Sequence, residues 1–222
     1  MEGDNMKVKA MGKITINLFL ILITSLFLTS CGGIVTPGLP PAVSEEEINK
    51  AEELGFVYLE VPYEKYGGPN WCLPACGAMT LKYFGISISQ SQIARETIDE
   101  YGSSSVYKFI SYAKNMGLEA KYQLNTIEEI KALLEEDTPV IAVQNYSLTI
   151  LKSHARVIIG YDDEAREIIT NDPTAGKDYR ISYDDFLSLN LNSNPDKCKV
   201  IILAPGNSDP VNILAESNTN NS

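Results

Sequence analysis

Apolar positions recur at helical spacing through the first half of the chain and alternate or run together in the second, so the pattern predicts helices first and strands later. Ser44-Glu45-Glu46-Glu47 is a capping box that starts a short amphipathic helix closed by Gly55. FVYLEVPY, residues 56–63, alternates as a strand does. From Cys72 to Phe84, residues Ala75, Cys76, Met79 and Tyr83 or Phe84 share a helical face, and Gly85 ends the run. Its single charge is Lys82, near the end, which predicts a largely buried helix. Further helices are predicted where Ser89 and Gln92 form a capping box before IARETIDE, in SSVYKFISYAKNMG, and where Thr126 and Glu129 precede IKALLEE.

The strands predicted next are LEAKYQL (118–124), PVIAVQNY (139–146), HARVIIGYD (154–162), EIITNDP (167–173) and KVIILAP (199–205), all rich in Val, Ile or Tyr. SYDDFLSL, capped by Ser182, predicts a small helix between the last two. This order predicts a single α+β domain over residues 55–205, a helical layer packed on a mostly antiparallel sheet, and not an alternating doubly wound fold. Roughly 150 residues suffice for one domain with its own core.

The ends carry other signals. Lys7, Lys9 and Lys13 precede an uncharged apolar stretch from Ile14 to Leu28, the pattern of an export signal over residues 1–30. Leu28-Thr29-Ser30-Cys31 then resembles the lipobox of bacterial lipoproteins, which implies a diacylated, palmitate-bearing Cys31. Such acyl chains would hold the protein on a cell membrane or outer membrane, on the extracytoplasmic face. The Gly- and Pro-rich residues 32–43 read as a tether, so that 31–54 comprise lipidated cysteine, tether and short helix. Residues 206–222 are Asn- and Ser-rich and read as a disordered tail.

A formal charge of −11 disfavours a nucleic-acid partner. The acidity is dispersed over helix faces and turns, where it serves solubility, and a taste for basic peptides is only a minor option.

Chemistry is limited by one fact: His154 is the only histidine. A nucleophile needing an imidazole partner can find no other. Pro74 is tolerated in a first helical turn and not deeper, which places Cys72 at the positive end of a helix dipole. A thiol there ionises readily, its pKa falling from about 8.5 into a range of roughly 3.5 to 7.5 when an imidazolium is near. Cys76, one turn deeper, is the weaker candidate. On adjacent turns the two Cβ atoms lie about 5 to 6 Å apart, beyond the roughly 3.5 to 4.5 Å of a disulfide. Both cysteines could instead be small buried hydrophobes, and Cys76 could pair with Cys198 in an exported protein. A zinc site from Cys72, Cys76, Cys198 and His154 has suitable ligand types, but a continuous helix lacks the usual knuckle turn, so no metal is expected.

Eighteen residues after His154, Asn171-Asp172-Pro173 ends the next strand, and a tight turn at 162–165 would bring 154 and 172 to one end of a hairpin. Asp172 could then accept a ring N–H and fix the tautomer, or serve only as an Asp-Pro turn residue.

In order and spacing, NWCLPACGAMTLKYFG, PVIAV, SHARVIIGYD, TNDP and SYDDF resemble the papain-like cysteine peptidases of the double-glycine leader peptidase family and its relatives, over residues 57–204. The resemblance implies a papain-like fold with Cys72 as nucleophile, His154 as general base and acid, and Asp172 as orienting carboxylate. It implies a peptide or protein substrate and no cofactor. Where the family carries an oxyanion-binding Gln about six residues before the cysteine, this chain has Tyr66, with Asn70 as a second nearby donor. Leu73 replaces the common Gly after the cysteine, and Arg156 follows His154 on the same strand face, from which a narrowed or altered cleft is expected. The function expected is a lipid-anchored cysteine peptidase acting through a Cys-His-Asp triad. The alternative is a catalytically silent binding module using the same cleft at the cell surface.

Overall fold

The computed structural model of the chain describes residues 55–206. The export signal, Cys31, the tether, the Ser44 helix and the tail after Gly206 lie outside the described residues. Within them the order is β1 (Phe56–Tyr58), α1 (Cys72–Tyr83), α2 (Gln90–Thr97), α3 (Val106–Asn115), β2 (Leu118–Asn125), α4 (Ile127–Glu135), β3 (Val140–Asn145), β4 (Ser153–Asp162), β5 (Glu167–Asp172), β6 (Gly176–Ser182), α5 (Tyr183–Ser188) and β7 (Cys198–Pro205). Both capping boxes form, at Ser89 with Gln92 and at Thr126 with Glu129, and Ser182 caps α5 through the amide of Asp185.

The sheet has seven strands in the order β2-β7-β3-β4-β5-β6, with β1 added on β4, and every pairing is antiparallel. Helices α1 to α3 pack on one another, with α1 against β4 and α3 against β2. The described residues thus form an α+β fold, a single domain of helices on an antiparallel sheet.

Every residue of α1 from Leu73 to Leu81 is buried, so the helix is held by what surrounds it. Gly77 makes this possible, since a Cβ there would stand 2.5 Å from the ring of Phe109. Met79, Leu81, Ile93 and Phe109 are fully buried around it, each contributing about 1.5–3 kcal/mol relative to exposure.

Two elements differ from expectation. FVYLEVPY is a strand only over its first three residues. Beyond Leu59, whose N–H still reaches the Ile159 carbonyl, the edge of β4 is occupied by β3 through Val140 and Ile158, so the chain must leave the sheet. Strand β6 was not expected at all. Its residues 177–180 are exposed, so GKDYRIS carries almost no apolar alternation; it forms because Asp172 and Gly176 close a tight hairpin onto β5.

Candidate active site

Helix α1 begins at Cys72, and Trp71, its N-cap, provides no side-chain cap. Pro74 has no N–H, so the amides of Cys72 and Leu73 are the donors at this end. The Cys72 thiol lies against the His154 ring and receives the backbone N–H groups of Leu73 and Ala155. Burial alone would raise its pKa, but the hydrogen bond and charge of His154, with those two amides, outweigh burial and hold the thiol below its ordinary value.

His154 comes from the start of β4, where it is 5 % exposed. Its Nε2 lies 3.0 Å from both carboxylate oxygens of Asp172. Burial would depress the imidazole pKa, but bonding to Asp172 and contact with Cys72 raise it. The carboxyl of Asp172 is pushed up by its burial and pulled below the usual range by His154, the Ala175 N–H and Arg156. An ionised carboxylate can only accept, so Nε2 carries the proton and Nδ1 is left for the sulfur side.

Sheet register explains how the carboxylate arrives. Val157 pairs with Asn171, which brings Asp172 beside Arg156, while His154 lies two residues along on the same face. The contacts of Asp172 are compatible with both roles that the sequence left open. Its carboxylate is bonded to His154, and its Oδ1 also accepts from the amides of Thr174 and Ala175 at 2.8 and 3.0 Å, closing the turn after Pro173.

Arg156 does not narrow the cleft, as its place on the strand had suggested. The side chain is buried behind the site, with Nε 3.2 Å from Asp172 Oδ2 and one terminal nitrogen 3.2 Å from the Tyr146 carbonyl. Tyr146 in turn meets the His154 ring edge-on, centroids 5.1 Å apart.

The other expected residues fall around the same cleft, a cavity of about 710 Å³ lined by Tyr66, Asn70, Cys72, Leu73, Lys152 and His154 among others. The extended segment before α1 is tied to the end of β5 by Asn171 to the Val61 carbonyl, Tyr63 to the Asp172 carbonyl and the Tyr66 amide to the Pro173 carbonyl. These ties put Tyr66 at the mouth, 40 % exposed. Asn70, at φ 60°, donates its amide to the Gly102 carbonyl and accepts from Lys152. It fastens the cleft walls, which leaves Tyr66 the freer side-chain donor.

Among the described residues Cys72, Cys76 and Cys198 are all free thiols, so the alternative Cys76–Cys198 disulfide is not formed. Cys76 is buried in α1, near Cys72, its pKa raised well above normal by burial. Cys198 opens β7 beneath Gln144 and Asn190, and burial pushes its pKa up to about 12. No group of three His, Cys, Asp or Glu side chains among the described residues could hold a metal ion.

Comparison with known proteins fits this geometry. Residues 58–191 match the Peptidase C39 like family. The chain belongs to that family. Its domain is therefore of cysteine peptidase type. No curated protein matches the chain. Among solved structures, a double glycine motif protease from an AMS/PCAT transporter, in complex with the leader peptide, is 24 % identical with a TM-score of 0.51, covering 67 % of this chain and 94 % of that one. The peptidase domain of Streptococcus ComA, a bi-functional ABC transporter involved in quorum sensing, is 20 % identical with a TM-score of 0.51, covering 64 % and 96 %. Xylellain, a cysteine protease from Xylella fastidiosa, is 13 % identical with a TM-score of 0.51, covering 68 % and 86 %. At these identities the likenesses establish the fold, and this member of the C39-like family is read from its own residues.

Proposed function

We propose that the protein is a peptidase that hydrolyses peptide bonds through Cys72, His154 and Asp172, anchored by lipid on Cys31 at the extracytoplasmic face of a bacterial membrane. The observation that carries the reading is the placement of one imidazole between a thiol with a lowered pKa and a buried carboxylate. In this reading the Cys72 thiolate attacks the substrate carbonyl carbon and the protonated His154 ring gives its Nδ1 proton to the leaving amine. The C–N bond breaks and a thioester remains. His154 then takes a proton from water, whose oxygen attacks the thioester, releasing the acid and restoring Cys72. Asp172 keeps its ionised form throughout and holds the ring.

The developing oxyanion would be met by the Cys72 amide at the helix start and by the Tyr66 hydroxyl, with Asn70 the second candidate. No cofactor enters this chemistry. A peptide substrate is supported by the leader peptide bound to the double glycine motif protease, and by the size of the cleft.

The test is cleavage of a proteome-derived peptide library, read by mass spectrometry of new termini. The wild-type protein is expected to produce new termini and Cys72→Ala none. Cleavage by both, or by neither, would refute the assignment; peptides retained without cleavage would support the silent binding module. Metabolic labelling with a palmitate analogue, lost in Cys31→Ser, tests the anchor.

A further inference from the structure

The cleft is charged in a way the rest of the chain is not. The sequence carries a net charge of −11, yet no Asp or Glu lines the cavity around Cys72 among the described residues. Lys152 and His154 are the titratable bases on its wall. His154 is engaged with Asp172 behind it, so Lys152 is the cation free to meet a bound molecule.

Its placement gives that charge a role. Lys152 stands two residues before His154 and Asn70 two residues before Cys72, so each flanks one reacting side chain from the opposite wall. The Lys152 ammonium reaches across and donates to Asn70 Oδ1 at 2.9 Å. Asn70 is fixed for this contact by its own bond to Gly102 and by the Ser104 hydroxyl on its carbonyl. The loop carrying Lys152 is closed by the Tyr146 amide on the Lys152 carbonyl, 2.8 Å. Lys152 therefore spans the site while bonded to a neutral amide oxygen. A carboxylate is the stronger acceptor for an ammonium, because the attraction of opposite charges adds to the hydrogen bond.

We propose that Lys152 is a specificity-determining residue that reads a carboxylate on the substrate, an acidic side chain close to the scissile bond, exchanging its Asn70 partner for that group. The inference rests on the peptidase reading and names the substrate class it favours. It reverses the preference for basic peptides that overall acidity alone would suggest, because the surface is acidic and the cleft wall is not. Exchanging a neutral acceptor for a charged one at this exposed side chain corresponds to about three- to fivefold in selectivity.

The experiment uses the same peptide library in two arms, cleavage by otherwise wild-type protein and retention on immobilised Cys72→Ala protein, each with and without Lys152→Glu. Expected for Lys152 is about three- to fivefold enrichment of Asp or Glu within three residues of the cut and in the retained pool, turning to enrichment of Lys and Arg in Lys152→Glu. A merely structural strap would lower yield without inverting the charge preference. Cleavage with no acidic bias, or a bias unmoved by Lys152→Glu, overturns the inference and leaves the peptidase reading standing. Acid-selective retention without any cleavage overturns the peptidase reading and supports Lys152 as the selector. A library neither cleaved nor retained overturns both.

Discussion

Arg156 and Asp172 form an ion pair behind the imidazole, Nε to Oδ2 at 3.2 Å, with both side chains almost wholly buried. A buried pair of this kind stabilises little in net terms, but removing one member strands the other. One terminal nitrogen of Arg156 has no protein partner either, so the pair is held at some energetic disadvantage. Arg156→Met is expected to lower unfolding free energy by about 3 kcal/mol, because Asp172 keeps His154 and two amides as partners. Urea denaturation at neutral pH checks this. Arg156→Lys should recover part of the loss, since it restores the charge without the guanidinium geometry.

The pair His154–Asp172 makes stability depend on pH with a defined sign. The His154 pKa is raised above 6.5 in the fold, so its contribution is complete below about 6.5 and is lost as pH rises through the folded value. The Asp172 pKa lies below 3.8 in the fold, so its contribution is present above that value and is lost as pH falls through the folded one. The pair therefore stabilises most between roughly pH 4 and 6.5. In a series of urea midpoints, the gap between wild type and His154→Ala should be widest in that window and shrink toward alkaline pH. A gap that widens above neutrality would contradict the assignment.

Gly160 lets β1 lie against β4, because a Cβ there would strike the Val57 carbonyl. Gly160→Ala must push β1 away, and overpacking of this sort costs about 1–3 kcal/mol. A lowered urea midpoint with early exchange of the Leu59 amide, which bonds the Ile159 carbonyl, is the expected result.

Tyr66 is placed to separate binding from chemistry. Tyr66→Phe removes the hydroxyl and keeps the ring, so kcat should fall about 10²- to 10³-fold if that hydroxyl meets the oxyanion. KM should stay near its original value, and Cys72 alkylation, which forms no oxyanion, should be unchanged. Stopped kinetics on a cleaved library peptide supply the comparison.

Local chemistry made much of this molecule readable in advance. The capping boxes at Ser89 and Thr126, the burial of α1 and the start of that helix at Cys72 all follow from short-range rules about side-chain oxygens, glycine and proline. So did the closeness of His154 and Asp172, because a ten-residue strand and a tight turn leave little freedom of register. What escaped was long-range or weakly patterned. Strand β6 is exposed and polar, with no period to detect. The shortening of β1 depends on β3 occupying the edge of β4, far along the chain. Arg156 was legible only as a position two residues beyond His154 on one strand face. Its burial against Asp172 depends on sheet register that alternation does not encode.

The central claim, that His154 activates Cys72, is tested most directly by the pH dependence of iodoacetamide alkylation of Cys72 in wild type and His154→Ala. Because the thiol is held below its ordinary pKa by His154, wild-type Cys72 should alkylate at pH 6 much faster than a free thiol. Cys76 and Cys198, buried and with raised pKa, should stay unmodified. His154→Ala should shift the profile to higher pH and abolish the fast reaction at pH 6. Equal, sluggish labelling of Cys72 in both proteins would contradict the account.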